Sequence, residues 1–200
     1  MLILVGGGSG SGKSEFAENK LLEISKAEAR LQSQSQSQGE SYYVATMINY
    51  GDEETNRRID RHSKMRAEKN FKTIECPYDF QLLKFENSDN ILLECMSNLV
   101  ANEIFAKQSK CEDKNVEGDV AEDEAEDVVE KIIGAIKALE VNNILIVTND
   151  IFADGIEYND EMKQYMQILG KLNRKIAEIA DEVYEVVYGI PILLKGESDK

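Results

Sequence analysis

No stretch of this chain approaches the ~20 consecutive apolar residues a membrane-spanning helix requires, and the apolar run Leu2-Ile3-Leu4-Val5 is too short for a signal peptide. Cysteine is scarce. Cys76, Cys95 and Cys111 are odd in number, widely spaced and form no C-x-x-C pair. That pattern suggests neither a zinc site nor a disulfide scaffold and points to a reducing cytoplasm. Positive charge is in deficit: 23 Lys and Arg stand against 38 Asp and Glu, a net charge of −15. Such a balance argues against nucleic acid or an anionic membrane as partner. Histidine occurs once, at His62.

An apolar content of 42% and a charged content of 30% are those of a soluble globular protein. At 200 residues the chain suits one domain spanning 1–200. Two stretches stand apart. Gln32 to Gly39 alternates Gln and Ser with no apolar residue to bury, so 30–40 is expected to be a mobile loop. Residues 111–130 hold ten carboxylates and one lysine, Lys114, and 108–127 is read as an acidic, variable, solvated segment.

Strand-like runs fall at Leu2–Val5, Tyr42–Thr46, Phe71–Glu75, Asn90–Glu94, Asn143–Thr148 and Glu182–Val187. Ile190–Leu194 follows Gly189 and contains Pro191, which marks an edge strand of a hairpin. Helical patterns lie between them, over Lys13–Arg30, Glu53–Glu68, Met96–Lys107, Val120–Leu139 and Asp160–Ala180. The last places Met162, Tyr165, Leu169, Leu172, Ile176 and Ile179 on one face behind Asn159 as N-cap. Alternation of strand and helix predicts an α/β fold with a mainly parallel sheet flanked by helices and a C-terminal edge hairpin.

Gly7-Gly8-Ser9-Gly10-Ser11-Gly12-Lys13-Ser14 fits G-x-x-x-x-G-K-[ST] between an apolar strand and a helix. Glycines let backbone N–H groups turn inward around an anion, and the helix adds its positive dipole end. Lys13 would reach the β- and γ-phosphates and Ser14 would ligate Mg²⁺. Because ligands of open α/β sheets sit beyond the carboxyl ends of the strands, the residues ending each strand matter: Thr46, Glu75, Glu94, and Asn149-Asp150. Three carboxylates and a P-loop at one edge make a Mg²⁺–nucleotide site. Glu94, ending Ile91-Leu92-Leu93, is placed like the acid of a Walker B strand.

His62 lies within Arg57-Arg58-Ile59-Asp60-Arg61-His62-Ser63-Lys64-Met65-Arg66. On a helix, Arg58, His62 and Arg66 share a face; like charges repel there unless a polyanion binds. Neighbouring cations on such a face would favour the neutral imidazole, and a neutral imidazole is a nucleophile. By its chemistry alone, His62 reads more readily as a surface histidine on a charged helix.

Six motifs occur in order: the P-loop, R-I-x-x-H at 58–62, T-x-E-C at 73–76, L-L-E-C at 92–95, V-T-N-[DE] at 147–150 and A-D-E-V at 180–183. In that combination the chain resembles the adenosylcobinamide kinase/adenosylcobinamide-phosphate guanylyltransferase family of cobalamin biosynthesis. The match covers nearly the whole chain and is weakest at 30–40 and 108–127. The resemblance implies a bifunctional transferase. It would phosphorylate adenosylcobinamide with ATP or GTP, then pass GMP from GTP through a histidine to give adenosylcobinamide-GDP. It implies His62 as the nucleophile, and Gly7 to Ser14, Ala45, Thr46, Met47, Ser63, Lys64, Met65, Arg66, Glu75 and Glu94 as nucleotide contacts. It also implies Ser14 and Glu94 around Mg²⁺, a corrinoid substrate and a homo-oligomer, suggested as a trimer. The chain departs from the family pattern at Gly10, where many members carry Arg, and over Ile151–Glu157, where the usual glycines and proline are absent. Two other readings stand beside this one. One is a different small-molecule P-loop kinase without guanylyl transfer; the other is a GTPase-type switch, for which the chain offers no N-K-x-D.

Overall fold

The computed structural model describes residues 1–31, 39–49, 51, 53, 57, 69–110, 122–151 and 155–197. In chain order these form β1 (Leu2–Gly6), α1 (Lys13–Leu31), β2 (Ser41–Ala45), β3 (Lys72–Glu75), a 3-10 turn (Phe80–Leu82), β4 (Asn90–Glu94), α2 (Met96–Lys110), α3 (Glu122–Ala138), β5 (Asn143–Val147), α4 (Asp160–Ile179), β6 (Glu182–Val187) and β7 (Ile190–Lys195). Every strand predicted from sequence is present, with ends shifted by a residue or so. The predicted helix over Glu53–Glu68 lies outside the described residues except for Glu53 and Arg57, which pair at 2.9 Å. Residues 32–38 of the expected Ser/Gln loop and 111–121 of the acidic segment also lie outside.

The seven strands form one sheet in the order β3-β2-β4-β5-β1-β6-β7. All neighbours are parallel except β6 and β7, the antiparallel hairpin at the edge. β5 is buried at all five positions, as expected of a parallel strand covered on both faces.

Period-two alternation divides the core. Leu4, Val44, Ile91, Leu93, Ile144 and Ile146 face a layer built by α2, α3 and α4. Ile3, Val5, Tyr43, Ala45, Leu92, Leu145 and Val147 face the opposite layer, where α1 contributes Ala17 and Leu21. α4 buries Ile168, Leu169, Leu172 and Ile176, and the Asn159 side chain caps it by accepting from Met162 N at 3.0 Å. Ile179, predicted for the same face, is 37% exposed because the helix ends there and the chain turns into β6. Among the described residues, no helix is long and apolar enough to cross a membrane.

The β6–β7 hairpin turns through Tyr188 (φ 50°) and Gly189 (φ 78°). Positive φ at both central residues is the geometry of the mirror-image hairpin turns, where Asn-Gly is the usual pair. A tyrosine in the left-handed region costs roughly 1–2 kcal/mol.

Candidate functional site

β1 delivers its loop at the carboxyl edge of the sheet, between the two strands beside it. From β5, Thr148 N–H donates to Val5 O at 3.0 Å and Asp150 N–H to Gly7 O at 2.9 Å. From the β6–β7 turn, Gly189 N–H donates to Ser11 O at 2.8 Å. The loop is therefore held at its entry by one neighbour and near its exit by the other, while Gly8, Ser9 and Gly10 at its crest are exposed. Gly7 is buried at φ +152°, and a Cβ there would meet Val186 O at 2.6 Å and Ser11 Oγ at 2.7 Å. Gly7→Ala is accordingly expected to cost about 1–3 kcal/mol through overpacking against backbone. Gly8→Ala, with nothing within 4 Å of the added carbon, should leave stability unchanged. Urea denaturation of the two variants checks the contrast.

Lys13 opens α1 and is only 7% exposed. Its Nζ donates to Gly8 O at 3.0 Å, so the ammonium lies inside the turn of its own loop. Burial pushes its pKa below the ordinary lysine value, with Cys95 and Glu94 acting the other way. A buried cation inside a glycine-rich loop, at a helix N-terminus, is complementary to a polyphosphate.

Glu94, the last residue of β4, links the loop to the rest of the sheet. One carboxylate oxygen accepts from Ser14 Oγ, the other from Tyr43 OH at 2.8 Å. Mg²⁺ prefers one or two carboxylates together with substrate phosphates and retained waters. A serine hydroxyl touching a carboxylate fits that demand. One hydroxyl and one carboxylate beside a phosphate loop are a donor set that suits a metal shared with a nucleotide.

Behind Glu94 the polar groups are committed to one another. Thr46 is fully buried; its Oγ1 accepts from Cys95 N at 2.7 Å and donates to Cys95 O at 2.8 Å. Thr46 thus braces the corner that carries Glu94. Asn149 Nδ2 donates to Ser97 Oγ at 2.7 Å, and Tyr165 OH to Ser97 O at 3.0 Å. Burial pushes the Cys95 thiol up and the Cys76 thiol to about 11, so neither is a thiolate nucleophile at neutral pH.

The residues named from sequence are thus placed unevenly. Gly7 to Ser14 and Glu94 come together, with Asn149-Asp150 alongside. Ala45 is buried and Met47 half-buried near the β2 end, beyond β4 and β5 from β1. Glu75 is exposed at the end of outermost β3, four strands from β1, or about 19 Å at the usual strand spacing. The structure does not bring it to the P-loop. His62, Ser63, Lys64, Met65 and Arg66 lie outside the described residues. Sequence reading missed Tyr43. Its signal was present: a tyrosine alternating with buried residues on a central strand needs a partner for its hydroxyl.

A phosphate loop at the carboxyl edge of a parallel sheet, backed by a strand-end carboxylate two strands away, defines a protein of the P-loop NTPase-like class. Comparison with known proteins narrows this. Residues 3–194 match the family described as cobinamide kinase / cobinamide phosphate guanyltransferase, and the chain belongs to that family. It is 28% identical to the bifunctional adenosylcobalamin biosynthesis protein CobU of Salmonella typhimurium over 198 residues, covering 98% of this chain and 100% of that protein. It is 26% identical to the CobU protein of Escherichia coli, with the same coverage. Among solved structures it is distantly similar to the flagellar accessory protein FlaH from Methanocaldococcus jannaschii. That match has a TM-score of 0.46 and 16% identity, covering 98% of this chain and 78% of the other.

Proposed function

We propose that the chain phosphorylates the hydroxyl of adenosylcobinamide from a nucleoside triphosphate and then attaches GMP to the phosphate through a covalent histidine intermediate. The observation that carries the reading is the joining of Lys13, Ser14 and Glu94 at one sheet edge within a chain of this family.

In the first reaction the substrate hydroxyl oxygen attacks the γ-phosphorus and the nucleoside diphosphate leaves. Such transfers need positioning and charge neutralisation more than covalent help. The loop amides and Lys13 supply both, while Tyr43 fixes the Glu94 carboxylate and Thr46 braces the backbone behind it. Mg²⁺ held by Ser14 and Glu94 would neutralise charge on the phosphate oxygens. In the second reaction an imidazole nitrogen of His62 attacks the α-phosphorus of GTP and pyrophosphate leaves toward the P-loop. The adenosylcobinamide phosphate oxygen then attacks the phosphoramidate, releasing His62 and giving adenosylcobinamide-GDP. Arg58, Arg61, Lys64 and Arg66 are the cations proposed around the transferring phosphate. Their sequence spacing and the family membership support this.

The direct test is intact mass after incubation with GTP and Mg²⁺. A GMP-sized increment that is lost in acid is expected, and an unchanged mass would refute the second reaction. Glu94→Gln tests the metal site. The amide keeps the shape, and the hydroxyls of Ser14 and Tyr43 can rotate to suit it, so thermal stability should change little. The Mg²⁺ concentration for half-maximal activity should rise at least about tenfold, because a charged oxygen ligand is lost.

A further inference from the structure

We infer that Tyr188, in the β6–β7 turn, is the stacking platform for the purine of the nucleoside triphosphate that donates the γ-phosphoryl group. The inference rests on the reading of Gly7–Ser14 as a triphosphate site.

Three observations converge on this residue. The residue is 94% exposed, the most exposed of the large hydrophobics among the described residues. Its backbone is left-handed at φ 50°, an outlier for a bulky residue. Nothing in the fold needs an aromatic side chain at that strained, solvated position, and strain retained in that way points to function. The turn is also fixed to the nucleotide loop. Gly189 N–H donates to Ser11 O at 2.8 Å, and Gly189 Cα lies 3.2 Å from where a Gly12 Cβ would stand.

The sheet order sets the direction. Ser14 and Glu94, the metal-binding end of the site, lie toward β4, on the β5 side of β1. The β6–β7 turn lies on the other side of β1. A nucleotide whose terminal phosphates sit between Lys13 and Glu94 extends its nucleoside away from Glu94, toward Tyr188. Every purine presents a π-face, so one exposed ring serves ATP and GTP alike.

The chain contains no tryptophan, which gives the test its reporter. Calorimetry would compare β,γ-imido ATP with inorganic tripolyphosphate, which shares the phosphates and lacks the base. For Tyr188→Ala, affinity for the nucleotide analogue should fall roughly tenfold, while tripolyphosphate binds as in the parent. Tyr188→Phe, which keeps the ring, should bind both normally. In Tyr188→Trp the single indole should be quenched by the nucleotide analogue and not by tripolyphosphate. Unchanged nucleotide affinity in Tyr188→Ala would overturn the assignment alone. The same result with an altered oligomeric state would give the ring to a contact between copies instead. If neither probe binds the parent protein, the P-loop reading falls and the platform with it.

Discussion

Incubated with GTP labelled at the α-phosphate, the His62→Ala protein is expected to stay unlabelled and to lose guanylyl transfer by at least about 10⁴-fold, the scale seen when a covalent nucleophile is removed. Its kinase activity should survive, because attack on the γ-phosphorus uses the substrate's own oxygen. The two activities therefore separate in one variant. The described residues offer no competing thiolate, since burial raises both Cys76 and Cys95. A variant that still carries acid-labile GMP would move the nucleophile elsewhere. One that lost both activities equally would give His62 a structural role.

Lys13→Ala should have the opposite signature, lowering both activities by about 10²–10³-fold, the cost of removing a preorganised charge-stabilising donor. Stability should not fall with it. Gly8 O keeps its bond from Ser11 N at 3.2 Å, and Lys13 is a cation held below its ordinary pKa by burial. The sign follows from linkage. Between the depressed folded value and the unfolded value of 10.5, the unfolded chain binds more protons, so this residue makes stability rise with pH across that window. Below the window the buried charge works against folding. Lys13→Ala should thus unfold at the same temperature as the parent or higher at neutral pH, and should lose that part of the alkaline rise. Calorimetric unfolding at several pH values, set beside steady-state rates, checks both halves. Unchanged rates would remove Lys13 from the mechanism.

What could be read from the sequence was what is local in the chain. The P-loop is eight consecutive residues, and its strand and helix adjoin it. Glu94 was visible because it ends an apolar strand, and Asn159 because a cap precedes its helix directly. Less visible were features that depend on strand order. β2 lies beside β4, and β4 beside β5, so Tyr43 reaches Glu94 and Thr46 reaches Cys95 across non-consecutive strands. Periodicity supplied the apolar faces of the helices but not where a face stops, hence the exposed Ile179. Counting strand-end acids also said nothing of distance: β3 stands at the rim of the sheet, so Glu75 ends a strand four places from β1.

The neighbours of β1 carry a consequence in time. Of the seven strands, β1 is made first, yet it is flanked by β5 and β6, and the loop after it is closed by Gly189. At about 5–20 residues per second, its partners emerge on the order of ten to forty seconds after it does. Until then an apolar strand with two open edges must wait, and the phosphate cradle lacks one of its walls. The cradle is thus closed only once the β6–β7 hairpin has emerged, and a chain cut short before the hairpin would lack the Gly189 contact that completes it.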